Sequence, residues 1–299
     1  MSTLFNAELL ASVEALTIRA RRVRRGPLHG EHRAGESGSG LEFREHRPYT
    51  PGDDLARVDW NVFRRSGRLY SRLADVMRDM PVRIHLDLSD SLWHESRARA
   101  DAARVAAFAI AAVVCGHEDQ AQVFFGGSAN DEPVRVRGRT GLLTLAAALE
   151  AAGPHGATDI AACFEAAAPY RRRPGLSVII SDFYDPRGLA AVVEALRSSR
   201  DRLLLLRVFT PAERGGASVV TGAAMATGEL RLFDCESGAA VTLDLDASAL
   251  AAYRAAYAAF EQAFDEALVH LGAVGLSLDA DAALLPQLEA LFPAWSLVL

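Results

Sequence analysis

The stretch from Val82 to Ser91, VRIHLDLSDS, constrains the fold of this chain most. An apolar run (Val82, Ile84, Leu86, Leu88) breaks off into a polar loop that carries Asp87, Ser89 and Ser91. A run of this kind is expected to be a buried strand that delivers oxygen atoms to the edge of a sheet. The pattern returns at Leu176–Ser181 (LSVIIS), which is followed at once by Asp182. A further apolar run, Arg202–Phe209 (RLLLLRVF), completes a set of continuous hydrophobic strands. Strands without polar alternation are covered on both faces, which requires a helix between each pair and a parallel sheet.

The intervening segments read as those helices. An amphipathic helix is expected over residues 6–24, with Leu9, Leu10, Val13 and Leu16 at helical spacing and a basic end at Arg19, Arg21, Arg22, Arg24 and Arg25. Residues 30–40 (GEHRAGESGSG) read as a flexible loop without a phosphate-binding fingerprint. In LEFREHRPYTPGDDLARVDW, residues 41–60, Asp53 and Asp54 are placed to cap a short helix, and residues 69–74 suggest a strand leading toward Val82. Further helices are expected over 97–116, 141–152, 158–168 and 186–199, with strands at 122–125 and, on an antiparallel edge, 133–137. Either Thr158 or Asp159 would cap the third of these helices. Residues 229–233 and 240–245 read as a hairpin, 247–271 as a long helix with an aromatic stripe, and 275–278 as a last strand. The fold class is therefore α/β, a doubly wound and mostly parallel sheet at 81–299, behind an N-terminal helical and extended segment at 1–80.

Composition removes several chemistries. All 32 basic residues are Arg. Without Lys there is no standard nucleotide-binding P-loop, no Schiff-base enzyme and no conventional protein kinase. The net charge of −6 argues against nucleic acid as the main partner. The Arg-rich segments at 19–25 and 64–72 do not outweigh an acidic main body. Cys115, Cys163 and Cys235 lie far apart and lack metal-ligand spacing, so they read as reduced thiols. Neither a signal peptide nor a transmembrane segment is evident, and a cytoplasmic location is expected.

Oxygen ligands cluster in three places: Asp87, Ser89 and Ser91; Thr158 in GATDI; and Asp182 in IISDFYD. In a doubly wound sheet, ligands gather at the carboxyl ends of strands where the strand order reverses. Two carboxylates, three hydroxyls and water suit a hard ion, Mg²⁺ foremost, with Mn²⁺ or Ca²⁺ as alternatives. With few anionic donors the ion stays under-neutralised and can accept a carboxylate from a client protein. A binding role follows in preference to turnover.

This set resembles the metal-ion-dependent adhesion site of von Willebrand factor A domains, over roughly Val82 to the C-terminus. Asp87, Ser89 and Ser91 match its D-x-S-x-S, Thr158 its isolated threonine, and Asp182 its later aspartate. The resemblance implies a 3-2-1-4-5-6 strand order and a metal-bridged protein partner. The preceding stretch, RPYTPGDDLARVDW, resembles the signature of the bacterial domain-of-unknown-function family 58, R-x-Y-x-P-G-D-D-x-R-R-I-D-W. Arg47, Tyr49, Pro51, Gly52, Asp53, Asp54, Arg57, Asp59 and Trp60 match; Ala56 and Val58 depart from it. That resemblance implies a non-enzymatic adaptor or co-chaperone working with a MoxR-type AAA+ ATPase. Arg47, Tyr49, Asp53, Asp54, Asp59 and Trp60 are then candidate partner contacts, against the alternative of an ion-pair knot. The competing reading is a metal-dependent phosphohydrolase acting on a small phosphorylated substrate. It is weakened because Ser89 stands where such enzymes carry a second Asp, and because Lys is absent.

Overall fold

The structure is a computed structural model. It describes residues 4–24, 37–50, 58–75, 80–94, 97–116, 119–127, 132–215, 229–244 and 246–291. In chain order the elements are α1 (Ala7–Arg24), β1 (Ser37–Pro48), α2 (Trp60–Ser66), β2 (Tyr70–Asp75), β3 (Val82–Leu86), α3 (Asp90–Trp93), α4 (Ala98–Gly116), β4 (Ala121–Phe125) and β5 (Val134–Val136). They continue with α5 (Gly138–Ala151), α6 (Ile160–Ala166), β6 (Leu176–Ser181), α7 (Leu189–Arg197), β7 (Arg202–Phe209) and α8 (Pro211–Gly215). The chain then runs through β8 (Glu229–Phe233), β9 (Ala240–Asp244), α9 (Ala247–Leu271), β10 (Val274–Asp279) and α10 (Leu284–Glu289).

The described elements fall into two compact units. One holds α1 and everything from Met80 onward; the other spans residues 26–79. The larger unit is mixed α/β around a six-stranded sheet in the order β10-β7-β6-β3-β4-β5. Neighbouring strands pair in parallel except β5, which runs antiparallel to β4 at the edge. Counted along the chain within this sheet, the order is 3-2-1-4-5-6, with the reversal between β3 and β6. The hairpin β8–β9 forms a separate two-stranded sheet.

Pleat alternation sorts the core into two layers. Val82, Ile84, Leu86, Val178, Ile180, Leu204 and Leu206 point to the face covered by α1, α4, α5 and α10. Ile179, Leu203 and Leu205 point the other way, onto Ile160 and Phe164 of α6, Val192 and Leu196 of α7, and Phe264 of α9. On that second face β3 offers Arg83 and His85, both buried. Arg83 is neutralised by Asp201, 2.9 Å away, and also donates to the Tyr170 and Arg173 carbonyls.

Several expectations need correction. α1 does not belong with an N-terminal extension; Val13, Leu16 and Ala20 are buried in the core of the larger unit. Residues 37–40, expected to be loop, are part of β1, which pairs antiparallel with β2. The strand expected over 69–74 is present as β2, and it pairs with β1 and not with a strand of the main sheet. The short helix here is capped by Asp59, whose Oδ1 accepts from the Asn61 and Val62 amides; Asp53 and Asp54 lie outside the described residues. The α7 helix starts at Leu189, three residues later than Pro186, because Gly188 takes a positive φ of 80°.

Candidate functional site

The parallel pairing of β3 with β6 brings Asp87 and Asp182 to one edge of the sheet, at the point where the strand order reverses. The Asp87 amide donates to the Ile180 carbonyl at 2.9 Å, which extends the ladder by one residue and fixes the carboxylate at the strand end. Asp87 Oδ1 accepts from the Ser89 amide (2.9 Å), and its Oδ2 accepts from the Ser181 hydroxyl (2.5 Å). Ser89 and Ser91 hydroxyls lie 2.9 Å apart, and Ser91 donates to Asp182 Oδ2 at 2.7 Å. Asp87, Ser89, Ser91 and Asp182 thus form one unbroken hydrogen-bonded chain. Phe183, next in sequence, holds a positive φ of 63°, unusual for a side chain of this size. Its amide donates to Ser181 Oγ, and its buried ring packs on Phe264. Strain of this kind persists where the surroundings over-determine it, as at functional loops.

Thr158 arrives differently. Asp159 takes the cap of α6, accepting from the Ala162 amide at 2.8 Å, so Thr158 is not needed there. The Thr158 hydroxyl, buried, instead donates to Glu236 Oε1 at 2.7 Å. Glu236 sits on the turn between β8 and β9, and its charge is close enough to push the Asp87 carboxyl upward. Among the described residues, the Thr158 hydroxyl is thus bonded to Glu236 and not to the Asp87–Asp182 chain.

The electrostatics are those of crowded acids. Burial raises the Asp87 carboxyl above its ordinary value, opposed by its bonds from Ser181 and Ser89. Burial, and then the Asp87 charge, push Asp182 up to about 7 against the pull of Arg99. Arg99, at the start of α4, places Nη1 3.7 Å from Asp182 Oδ2 and 3.0 Å from Glu213 Oε1, while its Nη2 donates to the Ser91 carbonyl at 2.6 Å. Sequence reasoning missed Arg99, Glu213, Ser181 and Glu236. Ser181, adjacent to Asp182, carried a local signal; Arg99 follows Ser91 by eight residues across a break between helices, and Glu213 and Glu236 lie far along the chain. A cavity of about 230 Å³ opens beside Asp87 and Ser89, walled by His85, Phe124, His155 and Cys163.

Hard oxygen donors that repel one another when empty fit a divalent cation in kind. Among the described residues, no group of three or more His, Cys, Asp or Glu side chains is drawn together to hold a metal ion. An ion here would rest on Asp87 and Asp182 with the hydroxyls of Ser89, Ser91 and Thr158.

In the smaller unit, Asp59 is buried as a helix cap, and Trp60 is half exposed, in edge contact with Phe63. The Tyr49 amide donates to the Leu69 carbonyl. The Arg47 side chain, with Asp53 and Asp54, lies outside what is described.

Residues 45–263 match the family described as "Protein of unknown function DUF58". The chain belongs to that family. Among this DUF58 chain's relatives, the uncharacterized protein Rv1480 of Mycobacterium tuberculosis is 31% identical over 265 residues, 83% of this chain and 80% of the relative. The uncharacterized protein Mb1516 of Mycobacterium bovis matches to the same extent. A solved structure of an aerotolerance-related membrane protein from Bacteroides fragilis, carrying multiple mutations to serine, aligns at 13% identity with a TM-score of 0.39. The alignment covers 74% of this chain and 100% of that one. In this DUF58 chain, no described helix is long and apolar enough to cross a membrane.

Proposed function

We propose that this DUF58 protein is a metal-dependent protein-binding module, of von Willebrand factor A type, which serves as a non-enzymatic adaptor for a MoxR-type AAA+ ATPase. The observation that carries the reading is the hydrogen-bonded chain Asp87–Ser89–Ser91–Asp182 at the sheet's switch point. The 3-2-1-4-5-6 strand order and the antiparallel edge strand support it. Mg²⁺ held by these residues and Thr158 would supply an electrophilic point for a carboxylate, since only two of its donors are anionic. Asp87 and Asp182 bring the charge, Ser89 and Ser91 hold the two carboxylates in register, and Arg99 restrains Asp182. The ATPase partner rests on the family resemblance, and the exposed Trp60 offers it a contact.

Co-purification of the tagged protein with the MoxR-type ATPase of the same organism tests the reading. Association is expected in Mg²⁺, and is expected to be lost in EDTA and in Asp182→Ala. Equal capture by both proteins with and without Mg²⁺ would refute the metal bridge.

A further inference from the structure

A buried polar side chain without a partner is uncommon, and His85 is one. It is 2% exposed on the second face of β3, and among the described residues neither ring nitrogen reaches a partner at hydrogen-bonding geometry. Other rings fix its position. It stacks on Phe124 with centroids 5.2 Å apart and planes within 12°, and it tilts against Phe164, also at 5.2 Å. The same imidazole forms part of the wall of the 230 Å³ cavity beside Asp87. An immobile ring with unpaired polar atoms on a cavity wall holds one donor and one acceptor ready for an occupant.

The rest of the lining says what that occupant is. The deep wall is apolar, with Phe124, Ile160 and Ile179 all buried. The outer wall is acidic: Glu132 and Asp159 are exposed and Asp87 is half-buried. Arg187 pairs with Asp159, and the balance there stays negative. The loops at the mouth are locked together. The His155 amide donates to the Leu88 carbonyl at 2.8 Å, and Gly127 holds a φ of 70° where an added Cβ would lie 2.7 Å from the His155 Cβ. Apolar walls with a few fixed polar groups in a preformed cleft are the ordinary make-up of a small-ligand site. The volume lies below the roughly 300–1,000 Å³ of sites for drug-sized molecules, which excludes a nucleotide, and the acids exclude phosphate.

We propose that this cavity binds a small aromatic amine. The planar body lies against Phe124, Ile160 and Ile179, a polar group at its inner end pairs with His85, and the ammonium stays at the acidic mouth. Neither the ion nor the ATPase is needed for this binding, so its failure would leave the metal site and the adaptor role where they stand.

Tyramine carries all three features and is the probe. Calorimetric titrations in EDTA compare it with phenethylamine, which lacks the hydroxyl, and with 4-hydroxyphenylacetate, in which a carboxylate replaces the ammonium. The proteins are wild type, His85→Phe and Ala162→Trp, with circular dichroism confirming that each is folded. Ala162 is exposed on α6 and lines the cavity, so the indole fills the space without disturbing the core. Tyramine is expected to saturate wild type with a Kd of about 1 mM or tighter, the ordinary efficiency for a ligand of this size. Phenethylamine is expected to bind about 10-fold more weakly, and that ratio is expected to collapse toward unity in His85→Phe. Ala162→Trp is expected to bind neither amine, and the anion is expected not to bind wild type. Wild type that saturates with neither amine up to about 10 mM would overturn the proposal. So would 4-hydroxyphenylacetate binding as tightly as tyramine, or tyramine binding unchanged in Ala162→Trp.

Discussion

Replacing Arg99 by Met removes a guanidinium set against two buried acids while keeping most of its volume. Arg99 Nη1 lies 3.7 Å from Asp182 Oδ2 and 3.0 Å from Glu213 Oε1. At an effective dielectric constant of about 20, a pair 3.7 Å apart is worth about 4 kcal/mol. Part of that is recoverable. Asp182 already sits up at about 7 and escapes by taking a proton, while Glu213 keeps its bonds from Tyr184 and Thr210. The net loss is therefore about 3 kcal/mol, at the lower end for a broken buried pair. For a unit of this size that is roughly a 6–12 °C fall in Tm in EDTA. The loss has a direction in pH. A carboxyl raised in the folded state contributes stability below its unfolded value, and that stability disappears as pH rises through the folded value. Without Arg99 the folded value climbs further, so the gap between variant and wild type widens from about pH 6 to about pH 8. If the proposed ion binds, Mg²⁺ at millimolar concentration is expected to reverse the trend as the counter-charge left for Asp182, and to stabilise Arg99→Met more than wild type. Differential scanning fluorimetry across pH, in EDTA and in Mg²⁺, reads all three effects. A variant in EDTA with Tm within about 2 °C of wild type, and the same gap at every pH, would show that Arg99 does not hold these acids.

His85 gives a pH effect of the opposite sign. It is buried on the second face of β3, stacked on Phe124, and neither ring nitrogen reaches a partner at hydrogen-bonding geometry, although the Cys163 backbone lies nearby. Burial, helped by the Arg171 charge, holds it down at about 3. The unfolded chain takes up a proton first, so His85 costs stability as pH falls from about 6.5 toward 3, about 1.4 kcal/mol per pH unit. In denaturant melts His85→Phe is expected to lose less stability than wild type between pH 6.5 and about 4.5; parallel losses would contradict the burial argument. The smaller unit separates support from contact: Asp59→Ala is expected to cost about 1 kcal/mol by uncapping α2. Trp60→Ala is expected to leave stability within about 0.5 kcal/mol and to weaken ATPase binding. Unchanged binding by Trp60→Ala would remove that contact.

The strands of the main sheet were legible because their apolar residues are local and periodic. VRIHL and LSVIIS announce burial within a few residues, and the oxygen donors that follow them fall where a parallel sheet must place them. The relation of Asp87 to Asp182 was readable for the same reason: both follow strands, and the reversal of strand order lies between those strands. What stayed hidden is what depends on distant partners. LEFREHRP carries charges at Glu42, Arg44, Glu45 and Arg47, which breaks the alternation after Arg44, so β1 carried no sustained strand period and is defined by pairing with β2. The docking of α1 on α4 depends on Val13, Leu16 and Ala20 meeting a helix some ninety residues onward. Glu236 looked like an ordinary hairpin-turn acid. Nothing in CESG distinguishes it from a solvated residue until Thr158 is set against it. Thr158 and Asp159 were both open as the cap of α6 from sequence, and the structure gives the cap to Asp159.

The most direct measurement for the whole account is a calorimetric titration of Mg²⁺ into metal-free protein, on wild type and on Asp87→Ala, with far-UV circular dichroism confirming that both are folded. The account predicts saturable Mg²⁺ binding to wild type and none to Asp87→Ala. A wild-type protein that takes up no Mg²⁺, or a variant that takes it up equally well, would contradict it.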